Sequence, residues 1–138
     1  MKVLSVQQPY ADLILSGRKP VENRTWRTKH RGRLYIHASK WASKTAEREW
    51  TSQSDYVGNG LTQAIIGHVE LVDIVAFDLL LSYRRGCPKE ICKIADRWTE
   101  DQIQHAIGPE CWILTNPVWL NEAIAGIQGR LNVWTFEV

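Results

Sequence analysis

The sequence is short of the residues that build metal centres and disulfide frameworks. It has three cysteines, Cys87, Cys92 and Cys111, and no two of them form a C-x-x-C pair. Its four histidines show no H-x₃-H spacing, so the sequence predicts neither a structural zinc site nor a disulfide framework. We therefore expect reduced, mostly buried thiols, and neither a metal nor another cofactor.

Long apolar runs are also absent. No run approaches the roughly 20 residues that cross a membrane, and the first residues do not resemble a signal peptide. These absences predict a cytoplasmic protein without a membrane partner. With 138 residues, 44% of them apolar and 23% charged, the chain has the composition of one globular domain spanning residues 1–138.

Three common catalytic and nucleotide-binding motifs are missing. The sequence contains no G-x-x-x-x-G-K-[ST] loop, no G-x-G-x-x-G turn and no G-x-S-x-G elbow. These absences exclude P-loop hydrolysis and leave the nucleotide-binding turn and the nucleophile elbow without support. A cysteine nucleophile would need a neighbouring histidine, and nothing in the spacing of these residues places one there.

The excess of positive charge lies in one short stretch. Between Arg18 and Arg33 there are seven basic residues and one acid, Glu22, which gives this stretch a net charge of +6. Because the whole chain is only +2, the remaining residues carry −4. Such a concentration of charge makes the stretch a candidate for holding an anion, although solvated surfaces show the same pattern.

The residues from Val21 to Trp26 follow the period of two that is typical of a strand. Glu22, Arg24 and Trp26 fall on one face, which would bring together an acid, a guanidinium and an indole. This set is unusual for a buried core. The alternative is an edge strand on which Glu22 and Arg24 simply pair.

The next strand also alternates, with one apolar face. Its other face carries Arg33, Tyr35 and His37, which could hold phosphate and stack on a base or could cover a sheet in contact with water. The turn before this strand adds three further basic or ionisable residues, namely Lys29, His30 and Arg31.

The remaining pattern predicts the architecture. A two-turn helix begins at Pro9 and ends at Gly17, helices are predicted over 40–54, 78–85 and 88–98, and the apolar run over 64–77 predicts a central strand. Further strands are expected over 111–115 and 118–120, separated by a turn at Asn116-Pro117. Five to six strands with three to four helices and no βαβ rhythm predict an α+β domain on a small curved sheet or mixed β-barrel.

Several motifs together resemble a known family. The chain reads Q-P-Y-A, then G-R-K, then V-E-N-R-T-W and H-R-G-R-L-Y-I-H-A, and later T-N-P-V-W-L and I-x-G-x-x-x-V-W-x-F. This set resembles the ASCH domain (activating signal cointegrator homology) of the PUA-like superfamily. The resemblance extends from about Leu4 to Phe136, with residues 41–60 and 77–109 as its variable parts.

The resemblance implies a small β-barrel flanked by helices, a basic cleft beside the first helix and binding of RNA or DNA. Some similar proteins cleave RNA or hydrolyse N4-acylated cytidine. In the latter group the chemistry is assigned to a lysine after the first helix, a threonine three residues later and a distant glutamate. Lys19 matches the lysine, but Glu22 stands where the threonine would be.

We therefore predict a nucleic-acid-binding domain that holds single-stranded RNA or a modified nucleotide in a basic cleft. An enzyme in the same cleft is the alternative, with Lys19 stabilising negative charge and Glu22 or His37 moving protons. A small-molecule sensor or interaction module is a third hypothesis. The predicted nucleic-acid-binding residues are Tyr10, Lys19, Arg24, Trp26, Lys29, His30, Arg31, Arg33, Tyr35 and His37.

Overall fold

The structure is a computed structural model that describes residues 1–79 and 100–138. These residues form six strands and three helices: β1 Lys2–Gln8, α1 Tyr10–Leu15, β2 Val21–Arg24, β3 Gly32–Trp41, α2 Lys44–Thr51, β4 Ala64–Ala76, α3 Glu100–His105, β5 Glu110–Ala125 and β6 Val133–Thr135. No helix in this part of the chain is long and apolar enough to cross a membrane. The helix predicted over 88–98, and all but the start of the one over 78–85, lie outside the described residues.

All six strands belong to one mixed sheet, in the order β2-β5-β4-β3-β1-β6. β1 and β3 are parallel, and every other neighbouring pair is antiparallel. β4 has a partner on each side, which confirms the central strand predicted from its apolar run. The α+β class and the number of strands are confirmed as well.

The sheet is open, so the prediction of a closed β-barrel is wrong. A barrel closes only when its first and last strands pair. The two end strands here are short, four residues in β2 and three in β6, and within residues 1–79 and 100–138 each pairs with a single neighbour. A side chain spans the gap between β2 and β1 instead, because Arg24 Nη2 donates to the carbonyl of Ser5 at 2.9 Å.

Three apolar clusters of the described residues pack along the sheet, and two of them contain a buried tryptophan. The largest contains Trp112, which is fully buried, and receives Ala11, Ile14 and Leu15 from α1. A second cluster packs Trp134 against Val3 and Ile65. Both tryptophans are buried. Because α1 has only six residues, this docking must supply most of its stability.

The predicted start of the second helix and the predicted turn at Asn116 are both wrong, because strand pairing extends through these positions. The helix expected from residue 40 begins at Lys44, because β3 continues to Trp41, which pairs with Gln8 of β1. Ser43 then caps α2 by accepting a hydrogen bond from the Ala46 amide at 3.0 Å. The turn expected at Asn116 is also absent, since β5 runs through it with a left-handed residue (φ 50°) and an irregular register against β4.

Candidate functional site

The end of α1 fixes the position of Lys19. Gly17 takes a left-handed conformation (φ 82°), in which its amide reaches the Ile14 carbonyl at 3.1 Å. The Lys19 amide then bonds to the Leu13 carbonyl at 3.0 Å, and Pro20 follows in the chain. The backbone of Lys19 is therefore held between the end of α1 and the start of β2.

A buried carboxylate joins the two cations at the start of β2. Lys19 Nζ lies 2.8 Å from Glu22 Oε1, and Arg24 contacts Glu22 Oε2 through Nη2 at 2.8 Å and Nε at 3.2 Å. Lys19 Nζ also donates to the Val21 carbonyl at 2.7 Å. The period of two in β2 thus brings Glu22 and Arg24 together. This contact agrees with both interpretations of the sequence, a functional site and a simple ion pair on an edge strand.

Glu22 is ionised at neutral pH despite its burial. The residue is only 7% exposed. Burial by itself raises the pKa of Glu22, but the charges of Lys19 and Arg24 and their hydrogen bonds together lower it by more, so the net pKa lies below the ordinary value of 4.5. The three side chains therefore form a cluster with a net charge of +1.

This cluster forms one side of a concave space of about 510 Å³, which we name the Lys19 hollow. Its lining residues are Ser5, Val6, Gln7, Tyr10, Lys19, Glu22, Asn23, Arg24 and Ile107. Tyr10 is 43% exposed, and the Lys19 ammonium lies 5.8 Å from the centre of its ring. The hollow opens between β1 and β2, at the gap that keeps the sheet from closing.

Asn23 builds the far wall of the Lys19 hollow. Its Oδ1 accepts hydrogen bonds from the amides of Ile107 and Gly108, both at 2.9 Å, and its Nδ2 donates to the His105 carbonyl at 3.3 Å. These bonds hold the segment after α3 against β2. Ile107, which is 74% exposed, therefore stands at the rim of the hollow.

Other predicted residues lie elsewhere. Trp26 lines a neighbouring concave space rather than the Lys19 hollow. The turn before β3 is occupied with its own contacts, since Arg31 donates to the carbonyls of Thr28 and His30 and lies 3.7 Å from Asp73. None of the residues that line the Lys19 hollow comes from the three basic positions of this turn, which are Lys29, His30 and Arg31.

The outer face of β3 does not contribute to the hollow either. Arg33 is exposed, Tyr35 packs edge-on against His68 with ring centres 5.2 Å apart, and His37 is fully buried. His37 Nε2 donates to the Ile127 carbonyl at 2.6 Å, and burial lowers the pKa of His37 against the effect of this bond. The chain after β5 covers His37, although alternation alone predicted that this side chain is accessible.

Ser5, Gln7, Asn23 and Ile107 line the hollow but were not predicted from the sequence. Their contacts join distant parts of the chain, such as Asn23 and Ile107, which are 84 residues apart. A single sequence carries no local signal for such contacts. Among the described residues, no three His, Cys, Asp or Glu side chains come close enough to ligate a metal ion.

The fold resembles solved ASCH structures. The crystal structure of ASCH from Zymomonas mobilis superposes with a TM-score of 0.54 at 18% identity, over 99% of this chain and 87% of that chain. A mutant form of that protein gives a TM-score of 0.52 at 17% identity, over 99% and 89% of the two chains. At such low identity the likeness concerns the fold alone.

Curated relatives match over a shorter stretch. The chain is 52% identical over 46 residues to Activating signal cointegrator 1 from Homo sapiens, which is 33% of this chain and 8% of the human protein. It is 56% identical over 36 residues to the Mus musculus protein of the same name, which is 26% of this chain and 6% of that protein. The matched stretch thus spans less than a tenth of these relatives.

The family model of the ASCH domain matches residues 4–122, which include every residue that lines the Lys19 hollow. This match confirms the resemblance drawn from the sequence motifs. The chain belongs to the ASCH domain family.

Proposed function

We propose that this domain binds single-stranded nucleic acid, RNA in particular, by taking one base into the Lys19 hollow. Membership of the ASCH domain family is suggestive of RNA binding. The observation that carries the proposal is the hollow itself, in which an ionised carboxylate orients two cations beside an exposed aromatic ring. Phosphate-binding cations next to a stacking surface are the usual means of holding unpaired bases.

The cluster keeps donors available after its internal bonds are made. An ammonium has three donors, and Lys19 uses two, on Glu22 and on the Val21 carbonyl. Arg24 uses Nε and Nη2, and within the described residues its Nη1 has no protein partner. Since Glu22 fixes both side chains, these remaining N–H groups can meet a phosphate or a base carbonyl with little loss of side-chain entropy.

A base in the hollow would stack on Tyr10. The ring is exposed and lies on the first turn of α1, whose other side is buried in the core. A volume of about 510 Å³ is of the size of small-molecule sites and suits one base with its sugar. A base enters such a space only when it is unpaired, which favours a single strand or an exposed loop over a duplex.

The electrostatics of the cluster favour binding over catalysis. A general base works best when its pKa lies near the operating pH. The pKa of Glu22 is lowered instead, and both of its oxygens accept hydrogen bonds from cations. Glu22 is therefore suited to hold Lys19 and Arg24 in place, and an RNA-cleaving or acylcytidine-hydrolysing enzyme is the second candidate, supported by the match of Lys19 to the catalytic lysine.

Substitution of Tyr10 tests the proposal. We expect Tyr10→Ala to weaken binding of a labelled single-stranded RNA oligomer roughly tenfold or more, because stacking on an aromatic ring contributes about 1–3 kcal/mol per base. Tyr10→Phe is the matched control, since it keeps the ring and removes only the hydroxyl. Fluorescence anisotropy gives the three dissociation constants, and equal affinities for all three proteins would contradict the proposal.

The same samples separate binding from catalysis. RNA recovered intact after incubation, together with no hydrolysis of an N4-acylated cytidine, is the result expected of a binding domain. Turnover by the wild type that is lost in Glu22→Gln while RNA affinity is kept would establish the enzyme instead.

A further inference from the structure

A second concave space adjoins the Lys19 hollow on the other side of Arg24. It has a volume of about 780 Å³, and Trp26 of the segment after β2 lies in its wall, so we name it the Trp26 hollow. Ser5 and Arg24 line both hollows. The two spaces are therefore neighbours along one groove, with the Arg24 guanidinium between them.

The Trp26 hollow is positively charged. Arg24, Lys40 and Arg130 all line it, and no carboxylate occurs among the described residues of its wall. The Arg130 amide donates to Ser5 Oγ at 3.3 Å, and its guanidinium lies 5.9 Å from the ring of Trp134. The backbone of Arg130 is thus bonded to β1, and its exposed side chain extends past the ring of Trp134 in β6.

An aromatic ring is held in the same wall. Trp26 is half-buried, and its ring meets that of Trp112 edge-on with centres 4.9 Å apart. The Trp26 carbonyl also accepts a hydrogen bond from Trp112 Nε1 at 3.2 Å. Trp112 is part of the main core, so Trp26 offers its accessible surface to the hollow from a fixed position.

Amide side chains complete the wall. Gln63 Nε2 donates to the Ser39 carbonyl at 2.6 Å, and Gln63, Gln128 and Asn132 all line the space. An amide carries both donors and acceptors and can pair with the polar edge of a base. Together, cations can contact the phosphate of a nucleotide, an aromatic ring can stack on its base, and amides can pair with the edge of the base.

We propose that the Trp26 hollow is a second nucleotide site, so that the ligand of this domain is a strand of at least two nucleotides and not a single nucleoside. This inference rests on the proposed function of the Lys19 hollow. The base next to the one on Tyr10 occupies the Trp26 hollow, and the phosphate between them lies against Arg24. Lys40 and Arg130 hold the backbone beyond it.

The experiment compares ligands of different length. Affinities for a nucleoside monophosphate and for a tetranucleotide of the same base are measured by NMR titration, and their ratio is the gain from length. For the wild type we expect a gain of about tenfold or more, since a second stacked base and further phosphate contacts are added. The double variant Lys40→Ala/Arg130→Ala should lower this gain about fivefold.

A matched control removes the same charges elsewhere. Lys44 and Arg48 are exposed on α2 and line neither hollow, so Lys44→Ala/Arg48→Ala should keep the wild-type gain. Equal gains in both double variants would overturn the second site while leaving the first intact. A glutamate-rich peptide that competes as well as the tetranucleotide would show an acidic-peptide groove and would also overturn it.

Failure of the two proposals can be told apart. If Tyr10→Ala binds the tetranucleotide as tightly as the wild type while the Lys40→Ala/Arg130→Ala variant does not, the strand occupies the Trp26 hollow without the first site. If the wild type binds neither ligand, both proposals are wrong.

Discussion

Glu22 is the residue on which the site depends. It is a buried carboxylate that contacts both neighbouring cations, and without it the charges of Lys19 and Arg24 would repel each other. Their pairing has the geometry of charge-assisted hydrogen bonds, which are stronger than neutral ones. The carboxylate thus organises the positive charge of the hollow at the cost of one unit of that charge.

The lowered pKa of Glu22 makes stability depend on pH. A carboxylate with a lowered folded-state pKa stabilises the fold above its unfolded-state value of 4.5 and loses this contribution as the pH falls through the folded-state value. Glu22→Gln should therefore destabilise the protein at pH 7 by roughly 1.5–3 kcal/mol, the contribution typical of hydrogen bonds to a charged group. Urea denaturation at pH 7 and at pH 3 to 4 gives the free energy of unfolding of the wild type and of Glu22→Gln.

The difference between the two proteins should shrink on acidification, because Glu22 becomes protonated in the wild type. Glu49→Gln on the exposed surface of α2 is the control and should match the wild type at pH 7. A difference that stays constant down to pH 3 would contradict the pairing of Glu22 with Lys19 and Arg24.

At this scale the sequence predicted the members of the cluster but overstated the positive field. The alternation of β2 placed Glu22 and Arg24 on one face, and they do meet. Two of the cations counted in the +6 stretch lie near acids from distant strands, however, with Arg27 3.3 Å from Glu110 and Arg31 3.7 Å from Asp73. Such partners are invisible to a local count of charge.

At the scale of elements, the short helix α1 is joined to the loop after α2 by side-chain hydrogen bonds. α1 is six residues long, and Asp12 on it accepts hydrogen bonds from the Tyr56 hydroxyl and, at 2.9 Å, from the Gly60 amide. Gln8 before it donates to the Leu61 carbonyl at 2.8 Å. These bonds fasten the loop after α2 to the helix that carries Tyr10 and to the strand before it.

Element boundaries were predictable only where no long-range pairing decided them. Gly17 ends α1 through its own backbone conformation, and this was correct. The extension of β3 to Trp41 depends on pairing with Gln8, and the continuity of β5 through Asn116 depends on its long alignment with β4. Neither partner can be identified from the local sequence, which by itself favoured a helix at 40 and a turn at 116.

Two tryptophans in edge-on contact separate the core from the groove. Trp112 is fully buried in β5, so Trp112→Ala should cost roughly 3–5 kcal/mol and bring the domain near unfolding. Trp26 is half-buried at the edge of the same cluster, and Trp26→Phe should shift the melting temperature little. Thermal denaturation followed by circular dichroism gives the melting temperatures of both variants. A larger loss of stability in Trp26→Phe than in Trp112→Ala would mean that the faces of β2 and β5 are inverted.

At the scale of the whole molecule, the pairing of β2 on one edge only leaves the sheet open and also leaves room for the Lys19 hollow. β2 pairs only with β5 in the described residues, so its other edge faces β1 across a gap that Arg24 spans to Ser5. β6 pairs with β1 only as far as Leu4, and the next residues of β1, Ser5, Val6 and Gln7, line the Lys19 hollow. The family motifs predicted the strands and the cleft beside the first helix, whereas the closure of the barrel was an expectation that the short end strands contradict.

The location of the bound strand is the central claim. The basic residues predicted to bind nucleic acid fall into two separate groups in the structure, one at the Lys19 hollow and one in the turn and on β3 from Lys29 to Arg33. An ¹H–¹⁵N NMR titration with a single-stranded RNA oligomer distinguishes them directly. We predict the largest amide shifts at Tyr10, Lys19 and Arg24, and shifts confined to residues 28–33 would contradict the account.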